Sequence, residues 1–147
     1  MVEKSARLSQ KQWVGAAGAL ASAHALRLEG FGLIEEDAQA YLAFVDAVRS
    51  QHDVAAAHAL TVDVPLRMIR AAAEVAELAV QLANHGNPNL RADAVVGATL
   101  AAAAAESGLI LIEVNLGDAA GDARFAVATK LARKASGLAL SLRPRDS

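Results

Sequence analysis

Residues 90–106 read LRADAVVGATLAAAAAE, and whether this stretch is helix or strand decides the fold. Alanine has the best intrinsic helix propensity because it loses no side-chain entropy on ordering. A run in which it fills most positions is a helix. The apolar part, Ala94–Ala105, is closed by Asp93 and Glu106 and is about a dozen residues long. A membrane span needs roughly 20 residues, so the stretch reads as a buried helix and no membrane partner is expected.

The same bias extends outward through all 147 residues. Hydrophobic residues make up 54% and aromatic ones only 3%, because alanine supplies about a quarter of the chain. Aromatic and β-branched residues, which favour strands, are scarce. The expectation is an all-α fold: a compact bundle of five to six helices with antiparallel neighbours, in one domain spanning residues 1–147. Alanine buries little area, and apolar burial stabilises by only about 25 cal/mol per Å². Alanine faces instead let helices approach to the short end of the roughly 8–10 Å interaxial range. Such helices want more partners than one small chain provides, so a homodimer or higher homo-oligomer is expected.

Other classes are excluded by charge and cysteine usage. Fourteen basic residues against sixteen acidic ones give a net charge of -2, without the concentrated basic face that nucleic acid requires. With no cysteine there is neither a disulfide framework nor a thiolate site. The Met1–Gln10 segment carries Glu3, Lys4 and Arg7 and lacks the apolar core of a signal peptide, so a cytoplasmic protein is expected.

Along the chain, Ser9 reads as the N-cap of a helix reaching about Leu28, ended by Gly30-Phe31-Gly32. A second helix is expected from Ile34 to His52, with Glu35, Glu36 and Asp37 in its first turn. Val54–Leu60 reads as a short helical stretch, and Pro65 suits the first turn of a separate helix that stops at Asn84-His85-Gly86. Gly86 is expected in the left-handed conformation and Asn89 as the next N-cap. The apolar helix runs from Leu90 towards Asn115. Gly117–Gly121 forms a loop, Asp122 to Leu142 the last helix, and Arg143–Ser147 a frayed tail. Gly15 and Gly18 read as close-packing points.

Chemistry is sparse. The four histidines lie on different elements with no i, i+4 pair, so no metal site is expected. Nucleophile-elbow, phosphate-loop and dinucleotide patterns are absent. Lys130, Arg133 and Lys134 share a helix face that reads as solvated or as a surface for an anionic tail. The segment 86–93, GNPNLRAD, compresses two asparagines, an arginine and an aspartate at a helix start. It reads either as a cap-turn-cap or as the polar edge of a small-molecule site.

Val64-Pro65-Leu66, Gly86-Asn87-Pro88-Asn89, Ala92-Asp93-Ala94 and Val114-Asn115-Leu116 occur in this order, with a weaker echo at Asp37-Ala38-Gln39-Ala40-Tyr41. This series resembles the cyclodeaminase/cyclohydrolase family, the domains similar to the C-terminal half of formiminotransferase-cyclodeaminase and to methenyltetrahydrofolate cyclohydrolases. The resemblance implies an all-helical homodimer that acts on a tetrahydrofolate derivative as substrate and requires no cofactor. The family closes a formimino carbon onto the neighbouring folate nitrogen with release of ammonia, or hydrolyses a methenyl group. Either reaction moves protons to or from nitrogen. On this resemblance Asp93 is the candidate acid and base, Asn87, Asn89 and Asn115 orient the pterin, and Lys130, Arg133 and Lys134 meet the glutamate tail.

The chain also departs from the family pattern. The family's glycine-rich turn before the first helix is replaced by residues 9–15, SQKQWVG. Leu111 and Glu113 stand where the family has an asparagine and a basic residue. Each lost polar contact is worth about 0.5–3 kcal/mol. Two readings stay open: a folate one-carbon enzyme, and a non-catalytic helical dimer that keeps the scaffold and a ligand pocket.

Overall fold

A computed structural model describes residues 1–117 and 121–143, and within them every regular element is a helix. The order is α1 (Val2–Leu8), α2 (Ala16–Ser50), α3 (Val54–His85), a 3-10 turn (Pro88–Leu90), α4 (Arg91–Leu116) and α5 (Ala123–Ser141). The central helix is α3. Helices α2, α4 and α5 all pack against it, α4 most extensively, and α1 closes one end against α2, α3 and α4. Short turns make α2, α3 and α4 antiparallel in succession.

Among the described residues, twenty of the thirty buried apolar ones are alanine, so the core is a set of close helix seams and not a cluster of large side chains. The buried face of α5 is Ala128, Ala132, Ala135 and Ala139, spaced four, three and four apart. Leu33, Ile69 and Ile112 are the large residues locked among the alanines.

Two expected breaks are absent. Gly30-Phe31-Gly32 lies inside the 35-residue helix α2. A mid-helix glycine costs only about 1 kcal/mol, and Ala19, Leu26, Leu33, Ala40 and Ala47, at seven-residue intervals, are all buried on this helix. That continuous seam outweighs two glycines, so Glu35, Glu36 and Asp37 stand mid-helix. The short helix at Val54–Leu60 and the helix expected to start at Pro65 are likewise one element, α3, with Pro65 inside it.

The N-terminal expectations also change. Ser9 ends α1 and does not begin α2: its Oγ donates to the Ser5 carbonyl at 2.8 Å and accepts from the Asn87 backbone N–H at 2.8 Å. Gly86 has φ -77° and is not left-handed. Glycine is required there because a Cβ would lie 2.5 Å from the Leu82 carbonyl oxygen and 2.8 Å from Ser9 Oγ. Asn87, not Asn89, is the capping residue; its Oδ1 accepts from the Asn89 N–H at 3.0 Å. Gly15 does pack closely, against the Trp13 ring, but Gly18 faces open space. The loop expected at Gly117–Gly121 and the tail from Arg143 lie partly outside the described residues.

Candidate functional site

The proline in α3 has a structural consequence. A helical proline has no N–H to offer the carbonyl four residues earlier, here that of Thr61. A buried carbonyl without a donor is costly. Asn115, near the end of α4, supplies the donor: its Nδ2 lies 2.6 Å from the Thr61 oxygen. One hydrogen bond between helices thus ties Asn115 to the carbonyl that Pro65 leaves unserved. The return bond comes from His58, whose Nε2 lies 2.7 Å from the Asn115 carbonyl oxygen. A carbonyl only accepts, so the neutral imidazole carries its proton on Nε2 and keeps Nδ1 as its basic nitrogen. Phe44 covers the ring, with centroids 5.5 Å apart.

Arg124 completes this polar end of the bundle. It binds Asp63 at 3.0 Å and Asp122 at 2.7 Å, and reaches the Ala59 carbonyl at 3.3 Å. Asp122 caps α5 by accepting the Arg124 N–H at 2.8 Å. The Arg124 guanidinium, followed by its backbone N–H, pulls the Asp122 carboxyl down to about 2. The same bonds hold Arg124 charged well above its ordinary range. His58, Asp63 and Arg124 were not singled out from sequence as site residues. Their only local signal is the polar spacing His58-Thr61-Asp63 just ahead of Pro65.

Asp93, Asn87 and Asn89 lie at the opposite end of α4. Asp93 is half-buried in the first helical turn. The Asn87 side chain is engaged in its own turn, while Asn89 is exposed. Twenty-two residues at 1.5 Å each separate Asp93 from Asn115 by about 33 Å, so no pterin touches both within one chain. Lys130 and Arg133 are exposed on α5, and Lys134 is paired with Glu77 of α3.

Between the two polar ends lies an apolar groove of about 450 Å³. Met68, Ala72 and Val75 of α3 form its floor, Leu26 and Leu33 of α2 one wall, and Gly97, Leu100 and Ala104 of α4 the other. Glu3 and Arg27 stand at its α1 end, joined at 2.7 Å, and this bond holds the Glu3 carboxyl below its ordinary range. None of the residues expected at the site lines the groove, and no residue of α5 borders it. Among the described residues no three of His, Asp and Glu gather into a metal-binding group.

The described residues form an all-helical domain with an apolar groove between α2, α3 and α4. The family model for formiminotransferase-cyclodeaminase matches residues 5–135, and the chain belongs to that family. No curated protein matches the chain significantly.

Proposed function

We propose that the chain binds a reduced folate and converts its one-carbon substituent as a formiminotetrahydrofolate cyclodeaminase. The observation that carries this reading is the position of Asp93. It lies one helical turn before Gly97, on the flank of α4 that Gly97, Leu100 and Ala104 present to the groove. The groove volume falls within the roughly 300–1,000 Å³ of small-molecule sites. A carboxylate one helical turn beyond the groove lining suits the reaction: the neighbouring folate nitrogen attacks the formiminium carbon, Asp93 takes the proton that nitrogen loses, and the same proton goes to the departing ammonia. Asn89, at the same end of α4, offers a carboxamide for the pterin edge. The reading carries with it a homodimer acting in the cytoplasm.

Ammonia release from formiminotetrahydrofolate by the purified protein, with loss of methenyl absorbance from methenyltetrahydrofolate as a parallel assay, tests it. Turnover of the first substrate is the expected result; no turnover and no calorimetric binding at millimolar folate overturns it. The non-catalytic reading rests on a separate observation. Leu111 and Glu113 are exposed on α4 and offer no donor where the family carries polar and basic groups. Binding without turnover of either substrate would favour that reading.

A further inference from the structure

The groove between α2, α3 and α4 is aliphatic along its whole length. Alanine, glycine, leucine, valine and methionine line it, and the lining includes no aromatic ring and no side-chain amide or hydroxyl. A flat polar ligand is gripped by aromatic faces and a few fixed polar groups. An alkyl chain needs neither, because burial of methylenes is non-directional. The floor from Val75 to Met68 and the wall from Gly97 to Ala104 run side by side for about 10 Å. Asp93 lies beyond this lining, so the chemistry assigned to it leaves the occupant of the groove open.

The α1 end differs in kind. Gly97 lets α1 close on α4 there, since a Cβ would lie 2.7 Å from Val2 Cγ2. A second cavity of about 250 Å³ adjoins the groove, lined by Met1, Glu3, Lys4, Arg7 and Arg27. Met1, Glu3 and Arg27 border both. Three cations therefore surround one carboxylate, and that carboxylate is already engaged. Glu3 accepts from Arg27 Nε at 2.7 Å and lies 3.5 Å from His24 Nδ1. Lys4 and Arg7 are exposed and form no ion pair among the described residues. Three residues apart on α1, they are neighbours on the helix surface and repel each other until an anion lies between them. Arg27 also keeps donors to spare, because a guanidinium carries five N–H groups.

We propose that the groove and this cationic mouth form one binding site for an aliphatic monocarboxylate of medium chain length. The alkyl chain lies along α3, and the carboxylate sits beside Lys4, Arg7 and Arg27. The distribution of charge carries the proposal: positive charge is in excess at one end of the cavity, and the rest of the lining is uncharged and aliphatic. An alkane would leave the cations without a partner, and a ligand polar along its length would lose its water to walls that return no hydrogen bond. The proposal goes beyond the folate reading and does not rest on it, because that reading uses Asp93 and none of these cations.

Calorimetry with decanoate, below its micellar concentration, tests the proposal. Saturable binding of one decanoate per chain is expected. Two further buried methylenes should make decanoate bind roughly fifteen-fold more tightly than octanoate. Decanol, with the same chain and no charge, should bind more weakly than decanoate. The Lys4→Gln/Arg7→Gln protein should lose that preference and keep its affinity for decanol. Gly30 borders the groove, and no heavy atom lies within 4 Å of a Cβ placed on it. Gly30→Leu should therefore fill part of the groove with unchanged far-UV circular dichroism and weaken decanoate binding roughly tenfold, the equivalent of one to two methylenes.

No saturation at millimolar decanoate, equal affinities for octanoate and decanoate, or an undiminished preference for decanoate in the Lys4→Gln/Arg7→Gln protein overturns the proposal. So does sedimentation with phosphatidylglycerol vesicles in the absence of decanoate binding, which would make the groove a contact with a lipid surface. Loss of decanoate binding as protein concentration rises would seat a second copy in the groove and overturn it equally. None of these measurements reads ammonia release, so failure of the carboxylate site and failure of the folate reading are distinguished.

Discussion

Gly108 provides a decisive test of the α3–α4 seam. On propensity alone, Gly108→Ala should stabilise a helix interior by about 0.8–1.0 kcal/mol. Packing opposes that gain. An added Cβ would lie 2.7 Å from Ile69 Cγ1, 3.2 Å from Ile69 Cδ1 and 3.5 Å from the Pro65 carbonyl oxygen. Ile69 is fully buried, so its side chain cannot swing into solvent to make room. Overpacking of this kind costs about 1–3 kcal/mol, so the net effect is a loss of up to about 2 kcal/mol. Two comparisons isolate the cause. Gly32 on α2 has nothing near its Cβ position, so Gly32→Ala should gain the full 0.8–1.0 kcal/mol or so. Ile69→Ala alone should cost about 2–5 kcal/mol, and Gly108→Ala in that background should change sign and stabilise. Urea unfolding followed by circular dichroism reads all four proteins at one protein concentration. Equal stabilisation by Gly108→Ala and Gly32→Ala, in both backgrounds, would refute the close approach of α3 and α4 at this point.

Three further outcomes are expected. Asn115→Ala should cost about 1–3 kcal/mol by leaving the Thr61 carbonyl without a donor. The cost should shrink in a Pro65→Ala background, where the restored N–H serves that carbonyl, and an equal cost in both backgrounds in urea titrations would dissociate the two residues. Asp122, with its carboxyl lowered from 3.8 to about 2, contributes stability that is fully present above about pH 4 and lost as the pH falls towards 2. Asp122→Asn should flatten that part of the acid unfolding curve, whereas an unchanged curve would place the acid sensitivity elsewhere. Asp93→Asn should abolish ammonia release while leaving the thermal midpoint within about 2–4 °C of wild type, because the change is isosteric at a half-buried helix start; retained turnover would remove Asp93 from the chemistry.

The helical class was legible because alanine is a local signal: each residue favours helix whatever surrounds it. The places where helices end were less legible. Gly30, Gly32 and Pro65 carry local penalties, and sequence reading turns each penalty into a boundary. In the folded chain these penalties are offset by distant groups: the α2 seam through Leu26, Leu33, Ala40 and Ala47, and the Asn115 amide that serves the proline-freed carbonyl. Helix α1 went unread because it is only seven residues long and two of its anchoring residues, Ser5 and Ser9, are polar. The candidate site divided in the same way. The motif residues could be picked out one by one, but the hydrogen bond from Asn115 to the Thr61 carbonyl that Pro65 leaves without a helical donor is displayed only by folding.

That bond constrains how Asn115 should be interpreted. One of its amide hydrogens is committed to Thr61, and its own carbonyl accepts from His58. Its substitution therefore disturbs α3, α4 and the imidazole together, and a loss of turnover in an Asn115 variant does not by itself identify a substrate contact. Asp93 has no such tie to the core, and kinetics at that position report more directly on chemistry. The apolar character of α4 links the two. Its inner face seats the helix on α3, its flank forms a wall of the groove, and its outer face exposes Val96, Ile110 and Val114. Only the outer face can take a charge without disturbing the first two, so Ile110→Lys should leave the fold intact while Gly108→Ala perturbs it.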